Sequence, residues 1–268
     1  MKKIMTLAAI FAAVMMGISS CNPDDTKPER KPDTEQPGDE TPGEGEGEQT
    51  PGEGEGEQTP GEGEGEEEYA SPITIDGTFT DWDNLEGVVV CKSAVDAAKQ
   101  GLKEMRVYAD EVYLNVLLEF DPEIVADRTK DNQNPVSLYL STSKDAGGYN
   151  TWSDLCIEYM LQGWCFNGDA YDTWTSGMYM WTGEVHGEGW NWESVLEDVG
   201  AESAGAGDKI EIRMMMDLLA GVMEFGDTFL IGADVQQAWD AVGLLPNAAV
   251  TDENLSGSAP MLEVAIVK

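Results

Sequence analysis

The stretch MRVYADEVYLNVLLEF, Met105 to Phe120, decides the fold. Met105, Val107 and Ala109 fall on one side of an extended chain. After the short turn at Asp110 and Glu111, Val112, Leu114, Val116, Leu118 and Phe120 take up the same alternation. Asn115 and Glu119 point the other way, as they would in a sheet with one wet face. Two such runs joined by a tight acidic turn predict a β-hairpin.

The pattern continues outward from this hairpin. Val136, Leu138 and Leu140 predict a strand, followed by Leu155, Ile157, Tyr159 and Leu161. Ile210, Ile212, Met214 and Met216, then Phe229 and Ile231, and finally Leu262, Val264 and Ile266 predict three more. These runs are short, separated by Gly, Asn, Asp and Pro, and rarely helical in period. They predict an all-β architecture, a single antiparallel β-sandwich. Short helices are expected at Ser93 to Leu102, Met216 to Phe225 and Val235 to Val242.

Residues Ile73-Thr-Ile-Asp-Gly77, followed by Asp81 and Trp82, resemble the opening of the family 9-like carbohydrate-binding modules and the related DOMON-like sandwiches. Val107-Tyr-Ala-Asp-Glu-Val-Tyr-Leu114 is similar to their next paired strands. What the resemblance implies is a jelly-roll type sandwich that often binds sugars as an accessory module. The same frame elsewhere binds haem or merely makes contacts, so fold alone does not assign function.

The N-terminus carries an address. Lys2 and Lys3 precede a short apolar core that runs to Met16, too short to span a bilayer, as in a secretory signal peptide over residues 1 to 20. It ends in Ile18-Ser-Ser-Cys21, which resembles the bacterial lipobox; this implies cleavage before Cys21 and lipidation of that cysteine by diacylglycerol and acyl chains such as palmitate. Asn22-Pro-Asp-Asp25 looks like the surface-export signal of Bacteroidota lipoproteins. The expected location is therefore the outer membrane, anchored by lipid and facing the cell surface, with the periplasmic face as the alternative. No later apolar run is long enough for a transmembrane helix, so the lipid is the expected membrane attachment.

Residues 21 to 68 follow as a linker. Thr41-Pro-Gly-Glu-Gly-Glu-Gly-Glu-Gln49 recurs from Thr50 to Gln58 and begins again at Thr59. With almost no apolar side chains, this segment cannot offset the entropy of ordering and is expected to be disordered. Between residues 22 and 70 there are 18 acids against 3 bases, and self-repulsion extends such a chain. A flexible coil of this length spans roughly 40 Å, and a fully extended one about 150 Å.

From Tyr69 to Lys268 the composition becomes that of one globular domain, still with 34 acids against 10 bases. That field repels phosphate backbones and excludes nucleic acid as a partner; it equally disfavours acidic polysaccharides. Between Tyr149 and Trp192 lie eleven aromatic residues in 44. Many have small or polar neighbours, as in Gln162-Gly-Trp164, Asp172-Thr-Trp174 and Gly189-Trp-Asn-Trp192. Flat rings stack on the apolar face of a pyranose while nearby polar groups bond its hydroxyls. Trp164, Trp174, Trp181, Trp190 and Trp192 are the expected ligand-binding rings, with Asp172, Glu184 and Asn191 as polar partners. The spacing of Tyr179 and Trp181, or of Trp190 and Trp192, also fits a buried strand face.

Other chemistries find less in the sequence. Asp76, Asp81 and Asp83, or Asp121 and Glu123, are oxygen-rich enough for calcium but match no EF-hand spacing, and no cofactor is expected. The single histidine, His186, excludes a multi-histidine zinc site and has no evident nucleophile beside it. Glu158, Glu184, Glu188 and Glu193 are the carboxylates a glycosidase would need, without the strand signature of laminarinase-like hydrolases. Cys91, Cys156 and Cys165 form at most one disulfide, with Cys156 and Cys165 the pair a hairpin would permit. The sequence thus predicts a non-catalytic lipoprotein that binds a neutral glycan. A structural lipoprotein docking on an outer-membrane protein is the alternative, and a glycoside hydrolase comes third.

Overall fold

The alternating apolar runs do become strands, and two layers form because each run has one face to bury. The computed structural model describes residues 69–125, 135–145, 149–152, 155–164, 173–185, 187 and 189–268. The predicted signal peptide, Cys21 and the linker lie outside these residues, as do Cys165, Asp172, His186 and Glu188. No helix among the described residues is long and apolar enough to cross a membrane.

One layer contains β1 (Val89–Lys92), β2 (Leu102–Asp110) and β3 (Tyr113–Phe120). The other begins with β4 (Pro135–Ser141); β5 (Tyr149–Trp152) and β6 (Leu155–Ile157) form a separate small hairpin. The second layer continues with β7 (Tyr159–Trp164), β8 (Thr175–Trp181) and β9 (Trp192–Leu196). The chain returns to the first layer for β10 (Glu202–Ala206) and β11 (Lys209–Met215), followed by α1 (Met216–Ala220). The hairpin of β12 (Thr228–Gln237) and β13 (Asp240–Leu245) then joins the second layer, and β14 (Leu262–Val267) ends the fold.

The first layer runs β10-β11-β3-β2-β14, with β1 also on β2; the second runs β14-β12-β4-β7-β8-β9, with β13 on β12. Strand β14 belongs to both. It pairs antiparallel with β12 through Leu262 to Ala265 and parallel with β2 through Ile266 and Val267. That parallel register is the one exception to antiparallel pairing among the named strands, and it arises where the last strand crosses between layers.

The core lies between the layers. Met105, Val107, Leu114, Val116, Leu118, Ile210 and Ile212 face Val136, Leu138, Leu161, Met178, Phe229, Ile231 and Ala233 across it. The expected β-sandwich is therefore the observed one. Two of the three expected helices are absent, and the third is shorter than expected. Residues 93–101 form turns instead, because Asn247 Oδ1 accepts from the Ala94 amide and Gln100 Nε2 donates to the Val95 and Ala97 carbonyls. Val235 to Val242 spans the β12–β13 hairpin, whose turn residues Ala238 and Trp239 have φ of 49° and 72°. The expected strand from Leu155 to Leu161 breaks at Glu158, so Ile157 faces away from the core that holds Tyr159 and Leu161.

The outer face of the first layer is sealed. The buried Glu211 on β11 accepts from the amides of Asp76 and Gly77 at 2.8 and 2.7 Å, and from Trp82 Nε1 at 3.0 Å. Nearby, the Arg213 guanidinium donates to Ser71 Oγ at 2.9 Å, to the Ile73 carbonyl, and to Asn115 Oδ1 at 3.1 Å, and stacks on the Tyr113 ring. Between these two anchors Ile73 and Trp82 pack on Tyr108 and Leu117. The residues that resemble the opening of the carbohydrate-binding modules are thus a strap over one face. Replacing Glu211 with Ala orphans three donors and is expected to lower unfolding stability by about 3 kcal/mol or more. Urea denaturation checks this; an unchanged midpoint means the strap is not held there.

Candidate functional site

With one face strapped, the outer face of the second layer is the one that carries exposed indoles. Side chains alternate along its strands, so Ser137, Gln162 and Gly177 stand in register with Asp234 across four neighbouring strands. Gln162 Nε2 donates to Ser137 Oγ at 3.3 Å. Tyr139 Oη and Gln236 Nε2 both donate to Asp234 Oδ2, at 3.2 and 3.0 Å. This is a band of polar side chains, Ser137 and Asp234 buried and Gln162 and Gln236 partly exposed, beside the buried Tyr139, Met160 and Leu230.

Two indole rings stand at one end of the band. Trp164, the last residue of β7, is 40% exposed and lies across from Thr175. Trp239, in the β12–β13 turn, is 67% exposed and meets Trp164 edge to face, ring centroids 5.7 Å apart. From Trp164 a groove of about 370 Å³ runs along the sheet past Gln162, Thr175 and Gly177 to Tyr179, with Glu197 and Asp198 on its rim. A methyl group on Gly177 would stand 2.9 Å from the Leu196 carbonyl and 3.0 Å from that of Glu197, so glycine lets the β9 backbone close in.

The other expected rings divide. Trp174 is a correction: it is fully buried in the core, its Nε1 donating to the Val136 carbonyl at 3.2 Å and its amide to Ser203 Oγ at 2.7 Å. Gly163 makes room for it, since a Cβ there would lie 2.5 Å from Trp174 Nε1. Trp181 is also buried, against the expectation; its Nε1 donates to the Glu184 carbonyl at 2.9 Å, and its ring meets Trp192 edge to face at 5.2 Å. Trp192 is half-buried. Trp190 is 63% exposed and leans edge-on against Tyr179 at 6.1 Å.

The side chains of Glu184 and Asn191 are exposed, while their carbonyls serve the β8–β9 connection: Glu184 O accepts from Gly187, and Asn191 O from Thr182. The structure therefore brings Trp181, Glu184, Trp190, Asn191 and Trp192 together at one end of β8, and sets Trp164 at the other, about 20 Å away at six strand residues. Asp172 lies outside the described residues. Trp239, Gln162, Gln236 and Asp234 are additions that sequence reasoning missed. Trp239 has the same signal as Trp164, an indole among small and polar neighbours in Gln236-Gln-Ala-Trp-Asp240.

Among the described residues, no three metal-ligating side chains converge. The acids considered for calcium serve their own loops and neighbours: Asp81 accepts from the Thr74 amide, Asp76 from Thr78, Asp121 from Glu123, and Asp83 pairs with Arg106. Glu158 accepts from the amide and hydroxyl of Thr142, both at 2.6 Å. Cys91 is a free thiol, its pKa pushed up to about 11 by burial.

Asp234 is the one titratable group in the polar band with a displaced equilibrium. Burial raises its pKa above the usual carboxylate value, against the opposing hydrogen bonds from Gln236, Ser137 and Tyr139. Its Oδ1 has no hydrogen-bond partner among the described residues. A carboxyl whose folded pKa is raised favours folding below its unfolded value, about 3.9, and loses that contribution as pH rises through the folded value. Asp234→Asn keeps an acceptor for Tyr139 and Gln236 and cannot ionise. It is expected to be more stable than the parent at pH 7, with the difference vanishing below about pH 4. Thermal unfolding at the two pH values checks this; a constant difference means the carboxyl does not titrate abnormally.

No protein-family model matches the chain, and no curated protein matches it. Among solved structures seven chains match. One is a family 9 carbohydrate-binding module from Caldicellulosiruptor kristjanssonii, in complex with glucose. It is 17% identical, with 74% of this chain and 93% of that chain covered, at a TM-score of 0.37.

Proposed function

We propose that this domain captures a neutral glycan, without catalysis, on the outer face of its second layer, with Trp164 and Trp239 as the stacking rings. The observation that carries the reading is Trp239. A large side chain with a φ of 72° costs about 1–2 kcal/mol relative to glycine at the same place. The ring is also two-thirds exposed, so burial does not repay that strain. The two-residue turn joining β12 and β13 imposes that geometry, and it puts one exposed indole beside another at the end of a polar band.

The arrangement suits a sugar. The rings offer apolar surface for C–H groups, Gln162 and Thr175 in the groove offer donors and acceptors, and no lysine or arginine lines it. Acids on the rim at Glu197 and Asp198 repel uronates and sulfated chains and favour a neutral ligand. Ile18-Ser-Ser-Cys21 and the acidic linker support the rest of the proposal: a lipid on Cys21 holds the chain to the outer membrane, and the linker presents the domain at the cell surface.

Native affinity electrophoresis of the full chain through gels carrying neutral polysaccharides tests the binding. Retardation is expected to be lost in Trp164→Ala, with stability changed by about 0.5 kcal/mol or less. Trp239→Gly should also lose retardation while gaining about 1 kcal/mol of stability, since glycine accepts the turn geometry. Trp174→Ala, by contrast, should cost about 3–5 kcal/mol by emptying the core. Retardation that survives both Trp164→Ala and Trp239→Gly, or none with any polysaccharide, would overturn the reading. For the anchor, labelled palmitate is expected to enter the parent chain and not Cys21→Ser; equal labelling of both would place the lipid elsewhere, and no label in either would remove it.

A further inference from the structure

Resting on the glycan reading above, we infer that the ligand is an extended oligosaccharide laid along β7 and β8, gripped at two aromatic stations rather than by one end. The first station is Trp164 with Trp239. The second is Trp190, which leans on Tyr179 at 6.1 Å and is nearly as exposed as Trp239. Neither fact alone requires a long ligand; the surface between the stations does.

Between Trp164 and Tyr179 that surface is one groove. Trp164 and Tyr179 line the same cavity, so it reaches from the first station to the ring against which the second rests. Thr175, across from Trp164, and Tyr179 project from the same side of β8 four residues apart, about 14 Å along the strand. Midway between them the position is Gly177, where the Leu196 and Glu197 carbonyls, rather than a β8 side chain, stand beside the strand. Gln162 lies across from Gly177 and supplies a polar group at the midpoint. Ring, polar floor and ring therefore follow one another along a line. A monosaccharide spans one station only, while a chain of several pyranoses reaches both.

The second station adds affinity in proportion to ligand length, which separates it from a merely structural ring. Calorimetric titration of the full chain in a non-glycosidic detergent would use β-1,4-linked gluco-, manno- and xylo-oligosaccharides of one to six residues. In a series that binds, affinity is expected to climb about tenfold between the disaccharide and the longer oligomers, one stacked ring's contribution, and then level off. Trp190→Ala should remove that gain and leave the disaccharide unchanged. Trp164→Ala should weaken every length. A monosaccharide that binds as tightly as a hexasaccharide, or a length profile untouched by Trp190→Ala, overturns the extended-chain inference while leaving the glycan reading in place. No binding by any oligomer in any series overturns the extended-chain inference, and the glycan reading is then decided by the electrophoresis alone.

Discussion

The carboxylate of Glu211 is the constraint on which the rest of the molecule depends. It is buried under the strap from Ile73 to Trp82, and it is held there by two backbone amides and an indole N–H. A carboxylate in that position would be costly without partners; three donors make it an anchor instead. Without the strap, Tyr108 and Leu117 would expose an apolar patch on the first layer. With it, the sandwich has one closed face and one open face.

The open face is itself divided. Toward one side Leu230, Leu244 and Met261 cover it as a small second core, continuous with Tyr139, Ile157 and Met160. Toward the other, Gln162 and Gln236 remain partly exposed beside the two indoles, over the buried Ser137 and Asp234. The buried aromatics of the same strands hold the fold together instead. Trp174 fills the space that Gly163 leaves, and Trp181 closes the end of the β8–β9 connection. Neighbouring tryptophans on one strand pair thus serve stability or recognition according to which side of the sheet they leave.

The strands and the sandwich were legible because alternation is local: Met105 to Phe120 reads as a hairpin and is one. The strap was visible as a motif, but its reason was not, since Glu211 lies far along the chain from the amides it binds. Trp174 misleads because its flanking residues are polar, and only the gap at Gly163, a tertiary feature, draws the ring inward. Trp239 is easily passed over because Val235 to Val242 has the composition of a short helix. The left-handed turn and the pairing of β12 with β13 outweigh that local preference. Of the expected site, Trp164 and Trp190 stand exposed where a ligand can reach, while Trp174 and Trp181 are buried.

Strand β14 has a bearing on when the domain takes shape. The two layers share it, and its pairing with Phe229 on one side and Ala109 on the other forms only with residues 262–267. Hairpins such as β2–β3 close from neighbouring sequence, whereas this seam joins distant segments. In the exported chain proposed here, this seam would form only after residues 262–267 have emerged.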